Sequence, residues 1–396
     1  MRGAGRNRAT VPETIGSLMA GEQEGNGSAD ATRDLTREAS PRDEAHLLGY
    51  APQLDGLRAF AVIFVVLFHT AGSGFAGGYV GVDVFFVLSG FLITGILLRE
   101  SSRTGTISLG RFYMRRALRL LPALVFLALV LGVAYLVLLG PEERTDGLFA
   151  LGAALLYVTS PLAAGGADLG SMLHAWSLSV EEYFYIGWPV VLLIVIRRLG
   201  RSRVYLGIGF IAIAAVAYRL ITAVAGWPLE RIYYAADTRA EQLLIGCLLA
   251  ALVSERRFRV PAWIGVIGAI AMVTFVLLPS DLTGAFYRFG GSTVLALASA
   301  AVIACLVTSR QHWASRVLSS SPLVWIGRRS YGIYLWHAPI AAMAVRFLPA
   351  WIPLVIADIV LTLVVAALSY RFVEQRFLKM KTRFAPRARP LGRNAA

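Results

Sequence analysis

The sequence is poor in cysteine and in charged residues. Its two cysteines, Cys247 and Cys305, both lie in apolar runs, which argues against a disulfide framework and against a zinc site. Only 16% of the residues are charged, whereas 57% are hydrophobic, and the mean hydropathy is +0.64. This balance excludes an ordinary soluble protein and predicts a membrane protein whose helices pack in lipid.

The N-terminal residues 1–48 lack the hydrophobic stretch of a signal peptide. They carry scattered charges together with Gly, Ser and Thr, so we expect a disordered cytoplasmic tail. The apolar runs all fall within residues 49–378, which are predicted to form a single membrane domain. The remaining residues, 379–396, are predicted to be a basic cytoplasmic tail.

Runs of about twenty apolar residues recur along the chain, and each is long enough to cross a bilayer as a helix. The sequence therefore predicts an all-α membrane protein with about ten transmembrane helices. The shorter apolar run at 147–160 is predicted to be a re-entrant or surface helix. The ten predicted spans lie at about 57–75, 79–98, 117–139, 175–196, 204–224, 236–253, 262–279, 289–308, 326–347 and 352–374.

The basic residues are unevenly distributed over the loops between these spans. With a cytoplasmic N-terminus, most of the loop arginines and both lysines fall on the inner side, so the positive-inside rule predicts that both termini are cytoplasmic. The formal charge of +14 is spread over many short loops, which argues against a nucleic-acid partner. The outer segments hold only Arg144, Arg231, Arg288 and Arg346.

The first predicted span, LDGLRAFAVIFVVLFHT, contains two ionisable residues, Arg58 and His69. Such residues are costly inside a membrane and usually face a partner, a cavity or a substrate. Eleven residues correspond to about three helical turns, so both side chains project from one face, roughly 16 Å apart. Each has a structural alternative: Arg58 as an interfacial anchor, and His69 as a hydrogen-bond partner of another helix.

These residues are part of a series of motifs that resembles one known family. Arg-x10-His in the first span resembles the acyltransferase-3 family of bacterial integral membrane O-acyltransferases. The resemblance covers about residues 49–378 and implies a ten-span domain that transfers an acyl group from cytoplasmic acyl-CoA, usually acetyl-CoA, to a hydroxyl at the outer face. The other motifs follow in order: GGYVGVDVFFVLSGFLIT, RFYMRRALRLLP, HAWSLSVEEYFYIGWP, DTRAEQLLIGCLLA, GRRSYGIYLWHAPI and YRFVEQRFL.

Three arginines are the candidate donor-binding residues. Arg116 and Arg119 lie three residues apart on one helical face, where two guanidinium groups can hold a diphosphate by bidentate hydrogen bonds. The resemblance to the family's Arg-x-x-Arg motif favours donor binding by Arg116 and Arg119 over a role as positively charged anchors at the cytoplasmic interface. Arg58 extends the same basic region. For Arg115 we prefer the anchoring role.

His69 is the candidate catalytic residue. A histidine can act as a general base on a sugar hydroxyl near neutral pH or accept the acyl group itself, and the sequence leaves both routes open. Either route benefits from an acid that orients the imidazole, and we assign this role to Glu181 or Glu182. Ser179-x-x-Glu182 also matches a capping box, which would make Glu182 part of a helix start.

Four further residues are candidate substrate-binding residues, and each also has a structural interpretation. His174 either contacts the acceptor or is a histidine at the outer surface. Asp237 and Arg239 either bind substrate or form ion pairs, with each other or with neighbours. His337 lies two residues before a proline, which leaves a backbone carbonyl of the helix without its usual hydrogen bond. His337 therefore either binds substrate or satisfies that carbonyl.

The sequence therefore predicts an integral O-acyltransferase of the bacterial plasma membrane, with acyl-CoA as donor and no metal. The predicted acceptor is a hydroxyl of a cell-envelope glycan or of a glycosylated metabolite. One alternative is a transporter or lipid flippase, in which sparse intramembrane charges mark a substrate pathway. The other is a structural membrane protein, in which the same charges fix the register of the helices.

Overall fold

The computed structural model describes residues 50–70, 75–255, 260–278, 286–309, 312–348 and 354–384. The predicted N-terminal tail lies outside the described residues, and so does the C-terminal tail beyond residue 384. Within these ranges the chain forms helices and no strands, so the all-α class is confirmed.

The helices follow one another through short connections. A 3₁₀ helix at Gly170–Ala175 and a π-helix at Tyr370–Glu374 extend two of the α-helices. In chain order the helices are α1 (Pro52–Thr70), α2 (Val80–Thr104), α3 (Leu109–Leu138), α4 (Pro141–Leu155), α5 (Thr159–Ala164), α6 (Trp176–Leu199), α7 (Val204–Val224), α8 (Leu229–Tyr234), α9 (Ala236–Ser254), α10 (Ala262–Leu277), α11 (Ser292–Thr308), α12 (Trp313–Leu318), α13 (Ser321–Arg328), α14 (Ser330–Phe347), α15 (Leu354–Ser369) and α16 (Gln375–Met380).

Every predicted span corresponds to a helix, but not all of these helices are equally apolar. α9 is long enough to span, yet Asp237, Arg239 and Glu241 lie within it; α14 carries His337 and Arg346. The all-helical membrane class therefore holds, while the count of ten spans and the side of the termini stay predictions. Seven described segments are long and apolar enough to cross a bilayer: Pro52–Thr70, Val80–Thr104, Leu109–Leu138, Gly170–Leu199, Arg201–Val224, Tyr287–Thr308 and Leu354–Met380; Ala262–Leu277 is apolar but shorter.

The centre of the bundle is the close crossing of α2 and α9, which contact each other more extensively than any other described pair of helices. A Cβ atom at Gly90 would collide with the carbonyl oxygen of Leu243, and one at Gly246 would collide with that of Val87. The two glycines therefore allow the two backbones to touch, as small residues do between membrane helices. The glycines of the GGYVGV motif, Gly77 to Gly81, are used in the same way against α1 and α10.

The end of the described chain folds back onto the bundle. α16 and the following turn, Lys381–Phe384, pack against α3. Arg115 fixes this arrangement, because its guanidinium group donates to the carbonyl oxygen of Phe384 at 2.7 Å and pairs with Glu100 at 3.1 Å. This contact brings Lys381 to the basic end of α3.

Candidate active site

A cavity of about 580 Å³ lies between α1, α3 and α6. Its lining includes five arginines, Arg58, Arg99, Arg116, Arg119 and Arg328, together with Glu181 and Lys381. We call it the arginine cavity, and we call Arg58 of α1 and Arg116 and Arg119 of α3 the cavity arginines. The structure thus brings together all three residues that the sequence predicts for donor binding.

The cavity arginines form no hydrogen bond or salt bridge within the part of the chain that the structure describes. The guanidinium group of Arg116 lies over the rings of Tyr185, at 4.9 Å, and of Phe112, at 5.8 Å. Such stacking holds the side chain in place and leaves its N–H donors free for a ligand. The cavity therefore offers positively charged hydrogen-bond donors that suit an anion.

Two further charged side chains in this cavity respond to the arginines. Burial, together with the nearby charges of Arg119, Arg116 and Arg115, lowers the pKa of Lys381 to about 8. Glu181 interacts electrostatically with Arg58 and Arg116, and its carboxylate accepts hydrogen bonds from Ser89 Oγ at 2.5 Å and from the Tyr185 hydroxyl at 3.1 Å. The cavity nevertheless carries an excess of positive charge.

A second cavity, of about 850 Å³, adjoins the first. His69 and His174 line it together with the aromatic side chains of Trp176, Tyr233 and Tyr287, and we call it the histidine cavity. Two residues, Val82 of α2 and Tyr334 of α14, line both cavities and so form their common wall. Tyr334 is fixed there, because its hydroxyl contacts Ser177 Oγ at 2.6 Å and donates to the His174 carbonyl at 2.9 Å.

His69 is an exposed histidine that lines the histidine cavity. It lies on the same helix as Arg58, so α1 carries one ionisable residue into each cavity. Its Nδ1 lies 2.9 Å from the carbonyl oxygen of Val65 and 3.4 Å from Nε2 of His337. Nε2 of His69 forms no hydrogen bond within the described residues, and the ring lines the cavity.

The two glutamates that were expected to orient His69 lie elsewhere. Glu181 lines the arginine cavity, and Glu182 interacts with Glu181 and Arg116. The capping-box interpretation of Glu182 is wrong, because α6 begins at Trp176 and Ser179 lies inside it, hydrogen-bonded to Thr159 Oγ1 at 2.7 Å. The glutamates thus belong with the arginines, and the geometry does not support an orienting role toward His69.

Two other histidines, His174 and His337, lie near His69. His174 is only 5% exposed, so its interpretation as a surface histidine is wrong, and its ring centroid lies 5.1 Å from that of His337. His337 is fully buried, and its Nδ1 lies 2.7 Å from the Tyr334 carbonyl. With Nε2 facing His69, neither ring nitrogen of His337 is free for a substrate, in contrast to the expected binding role.

Asp237 and Arg239 pair with different neighbours and not with each other. Asp237 forms a two-pronged ion pair with Arg231, with nitrogen-oxygen distances of 2.6 and 2.7 Å. Arg239 is fully buried and lies 3.2 Å from Asp83. Its guanidinium group lies 5.0 to 5.4 Å from the ring centroids of Phe86, Trp176, Tyr233 and Tyr287. The last three of these rings also line the histidine cavity. Arg239 thus supports the wall of that cavity from behind.

Ser89 and Tyr334 are site residues that the sequence did not reveal. Each is a common residue in an apolar helix, and its partner is distant in the chain: Glu181 lies 92 positions from Ser89, and Ser177 lies 157 positions from Tyr334. No local signal could have identified them. In the described residues, no group of three or more His, Cys, Asp or Glu side chains is placed to hold a metal ion.

Comparison with known proteins identifies the family of this chain. The family model described as "Acyltransferase domain" matches residues 52–371. The chain belongs to the acyltransferase-3 family. It is 36% identical over 351 residues to the peptidoglycan O-acetyltransferase OatA of Listeria monocytogenes, and 32% identical over 350 residues to the O-acetyltransferase OatA of Staphylococcus aureus.

These alignments cover 82% of this chain but only 55% and 57% of the two relatives. The chain thus spans less than two thirds of the length of the relatives it matches. No solved structure matches it. From the family match, residues 52–371 are an acyltransferase domain.

Proposed function

We propose that the protein takes an acetyl group from acetyl-CoA on the cytoplasmic side of the bacterial plasma membrane and transfers it to a hydroxyl of a cell-envelope glycan. The observation that carries the proposal is the common wall of the two cavities. One cavity contains the three cavity arginines, which form no hydrogen bond or salt bridge within the described chain. The other contains His69 and aromatic rings, and Val82 and Tyr334 lie between the two cavities.

The arginine cavity suits the nucleotide end of the donor. Guanidinium groups bind phosphate oxygens by paired hydrogen bonds, and the diphosphate of a coenzyme A thioester needs several such donors. The arginine-rich loops that predict the cytoplasmic side lie at this end of the molecule, since they include the start of α3, which carries Arg116 and Arg119. About 16 Å along α1 separates Arg58 from His69, a distance that an extended pantetheine arm can span.

The histidine cavity suits a sugar acceptor. Its aromatic rings offer flat apolar faces, and the polar groups of His69 and His174 lie among them. Pockets of this kind orient a ligand by a few polar contacts on an apolar surface. The name of the Listeria relative, peptidoglycan O-acetyltransferase, supports a sugar hydroxyl of peptidoglycan as the first acceptor to test.

The chemistry requires one proton carrier. In direct transfer, His69 takes the proton of the acceptor hydroxyl while its oxygen attacks the acyl carbon. The carbon-sulfur bond then breaks, and His69 returns the proton to the leaving thiolate, so acetyl ester and coenzyme A are the products. If His69 instead carries the acetyl group, its ring nitrogen attacks the thioester carbon and the coenzyme A thiolate leaves. The acceptor hydroxyl then attacks the acetyl-imidazole, the bond between ring nitrogen and acyl carbon breaks, and the proton of the hydroxyl passes to the thiolate.

The test is acetyl transfer by purified protein in nanodiscs, with radiolabel in the acetyl group of acetyl-CoA. The acceptors are soluble peptidoglycan fragments and a panel of other oligosaccharides and glycosylated metabolites. We expect label to move to an acceptor with the wild type and with His312→Ala, a matched histidine change outside both cavities. We expect His69→Ala to lower kcat by about 10²- to 10⁴-fold.

Two results would contradict the proposal. Unchanged transfer by folded His69→Ala would remove this residue from the chemistry. If the folded wild type neither binds nor consumes acetyl-CoA or longer acyl-CoAs, the donor assignment fails, and the acyl group must come from another donor.

A further inference from the structure

His337 and its contacts determine which nitrogen of His69 is available for reaction. The carbonyl oxygen of Tyr334 can only accept a hydrogen bond, and it lies 2.7 Å from Nδ1 of His337. That nitrogen must therefore carry the proton of the ring. Because a neutral imidazole has one N–H, Nε2 of His337 is left with a lone pair.

The same reasoning applies to His69. Its Nδ1 lies 2.9 Å from the carbonyl oxygen of Val65, again an acceptor only, so Nδ1 of His69 carries the proton. The lone pair of His337 Nε2 lies 3.4 Å from this Nδ1 and provides a second acceptor for the same N–H. Both contacts are satisfied together by only one pair of neutral tautomers.

We infer that His337 is a positioning residue that, together with Val65, keeps the proton of His69 on Nδ1 and so directs the Nε2 lone pair of His69 into the histidine cavity. The partner of a catalytic histidine commonly fixes its tautomer in this way. Here a neutral imidazole takes the role that a carboxylate has in a Ser-His-Asp triad. The inference rests on the proposed role of His69 and specifies its reactive atom.

Burial explains how His337 holds this orientation. Its ring is fully buried on α14, and its centroid lies 4.8 Å from that of His69 at an interplanar angle of 73°. His69, by contrast, is exposed toward the cavity. When Nε2 of His69 takes a proton, the charged ring keeps its Nδ1–H bonds to Val65 and His337, so the proton transfer requires no rearrangement of the site.

The experiment is nitrogen-15 solid-state NMR of histidine-labelled protein in nanodiscs. The signals of His69 are assigned by their loss in His69→Gln, and His312→Gln serves as the matched control. We expect His69 to be protonated at Nδ1 and unprotonated at Nε2. A wild-type spectrum with His69 protonated at Nε2 would overturn the inference, whether or not the protein consumes acetyl-CoA.

Two variants of His337 test its part in this arrangement. His337→Phe removes the acceptor, so we expect a second tautomer of His69 to appear and kcat to fall by about tenfold or more, with an unchanged KM for acetyl-CoA. His337→Gln offers an amide oxygen to the same N–H and should recover most of this rate. If folded His337→Phe keeps the wild-type spectrum and kcat, the positioning role is wrong. If it does not fold, the wild-type spectrum and His337→Gln decide.

Discussion

Two groups of arginines lie within the helical core, and they differ in what their guanidinium groups contact. Arg219 and Arg239 are fully buried, and each lies 3.2 Å from a carboxylate oxygen, of Glu241 and of Asp83 respectively. The cavity arginines have no hydrogen-bond or salt-bridge partner within the described residues. The first group, which we call the paired arginines, completes the fold, whereas the second has donors to spare for a ligand.

The difference follows from the cost of placing charge in a membrane protein. A buried guanidinium loses its hydration, and only a well-placed carboxylate and further hydrogen bonds compensate for that loss. Glu241 also accepts hydrogen bonds from Ser292 and Thr293, at 2.6 and 2.9 Å, and the side chains of Arg219 and Glu241 are both fully buried, so a substrate does not reach this pair. Arginines that face a cavity keep water or ligand as their partner and need no such network.

The largest effect that distinguishes the two groups is expected for Arg239→Leu. The change leaves the Asp83 carboxylate buried without its cation, which should lower the free energy of unfolding by about 3–5 kcal/mol. Denaturant unfolding in a mild detergent measures this loss. The matched control is Arg116→Leu, which we expect to change the stability by less than about 1 kcal/mol. If both variants lose the same free energy of unfolding, the proposed difference between the two groups of arginines is wrong.

The cavity arginines should respond in the opposite way. Arg116→Gln and Arg119→Gln each remove charged hydrogen bonds to the donor phosphates, so KM for acetyl-CoA should rise by about tenfold or more. Their unfolding transitions should stay at the wild-type position. Steady-state acetyl transfer at a saturating acceptor concentration gives KM. A wild-type KM in the double variant would mean that the phosphates bind elsewhere.

A smaller effect is expected from pH, through Lys381. Its pKa is lowered to about 8, so the side chain is a cation below this pH and neutral above it. Because the cation attracts the donor, KM for acetyl-CoA should rise as the pH increases through about 8, by less than about tenfold. Lys381→Arg keeps its charge at these pH values and should abolish the rise. If KM still rises with pH in Lys381→Arg, the titration of another group causes the rise.

The smallest effect is expected for Arg231→Gln. Its ion pair with Asp237 is partly exposed, with relative side-chain accessibilities of 28% and 44%. Exposed pairs contribute about 0–1 kcal/mol, so stability should change little and acetyl transfer should be unaffected. Thermal unfolding and initial rates measure both. A large loss of activity would restore the expectation that Asp237 binds substrate.

The sequence predicted the parts of this arrangement that depend on local pattern. Apolar runs of about twenty residues predicted a helix at every span. The resemblance to the family's Arg-x-x-Arg motif predicted a donor-binding group of Arg58, Arg116 and Arg119, and these three residues line one cavity. These signals lie within a single helix or between motifs of a family. They require no knowledge of which helices are neighbours.

What the sequence did not predict depends on packing between distant helices. The expected partner of His69 was a glutamate, because an acid is the usual orienting group, but α6 places Glu181 in the other cavity. The neighbour of His69 is His337, 268 positions away. The ion pairs of Arg239 and Arg219 likewise join helices whose order in space no local pattern reveals.

The most direct test of the contrast between the two groups of arginines is equilibrium binding of acetyl-CoA in nanodiscs without any acceptor. We predict that the wild type and Arg231→Gln bind acetyl-CoA with equal affinity, and that Arg116→Gln combined with Arg119→Gln weakens binding by about a hundredfold while the protein stays folded. Equal affinity in all three proteins would contradict the account, because the arginine cavity would then not be the donor site.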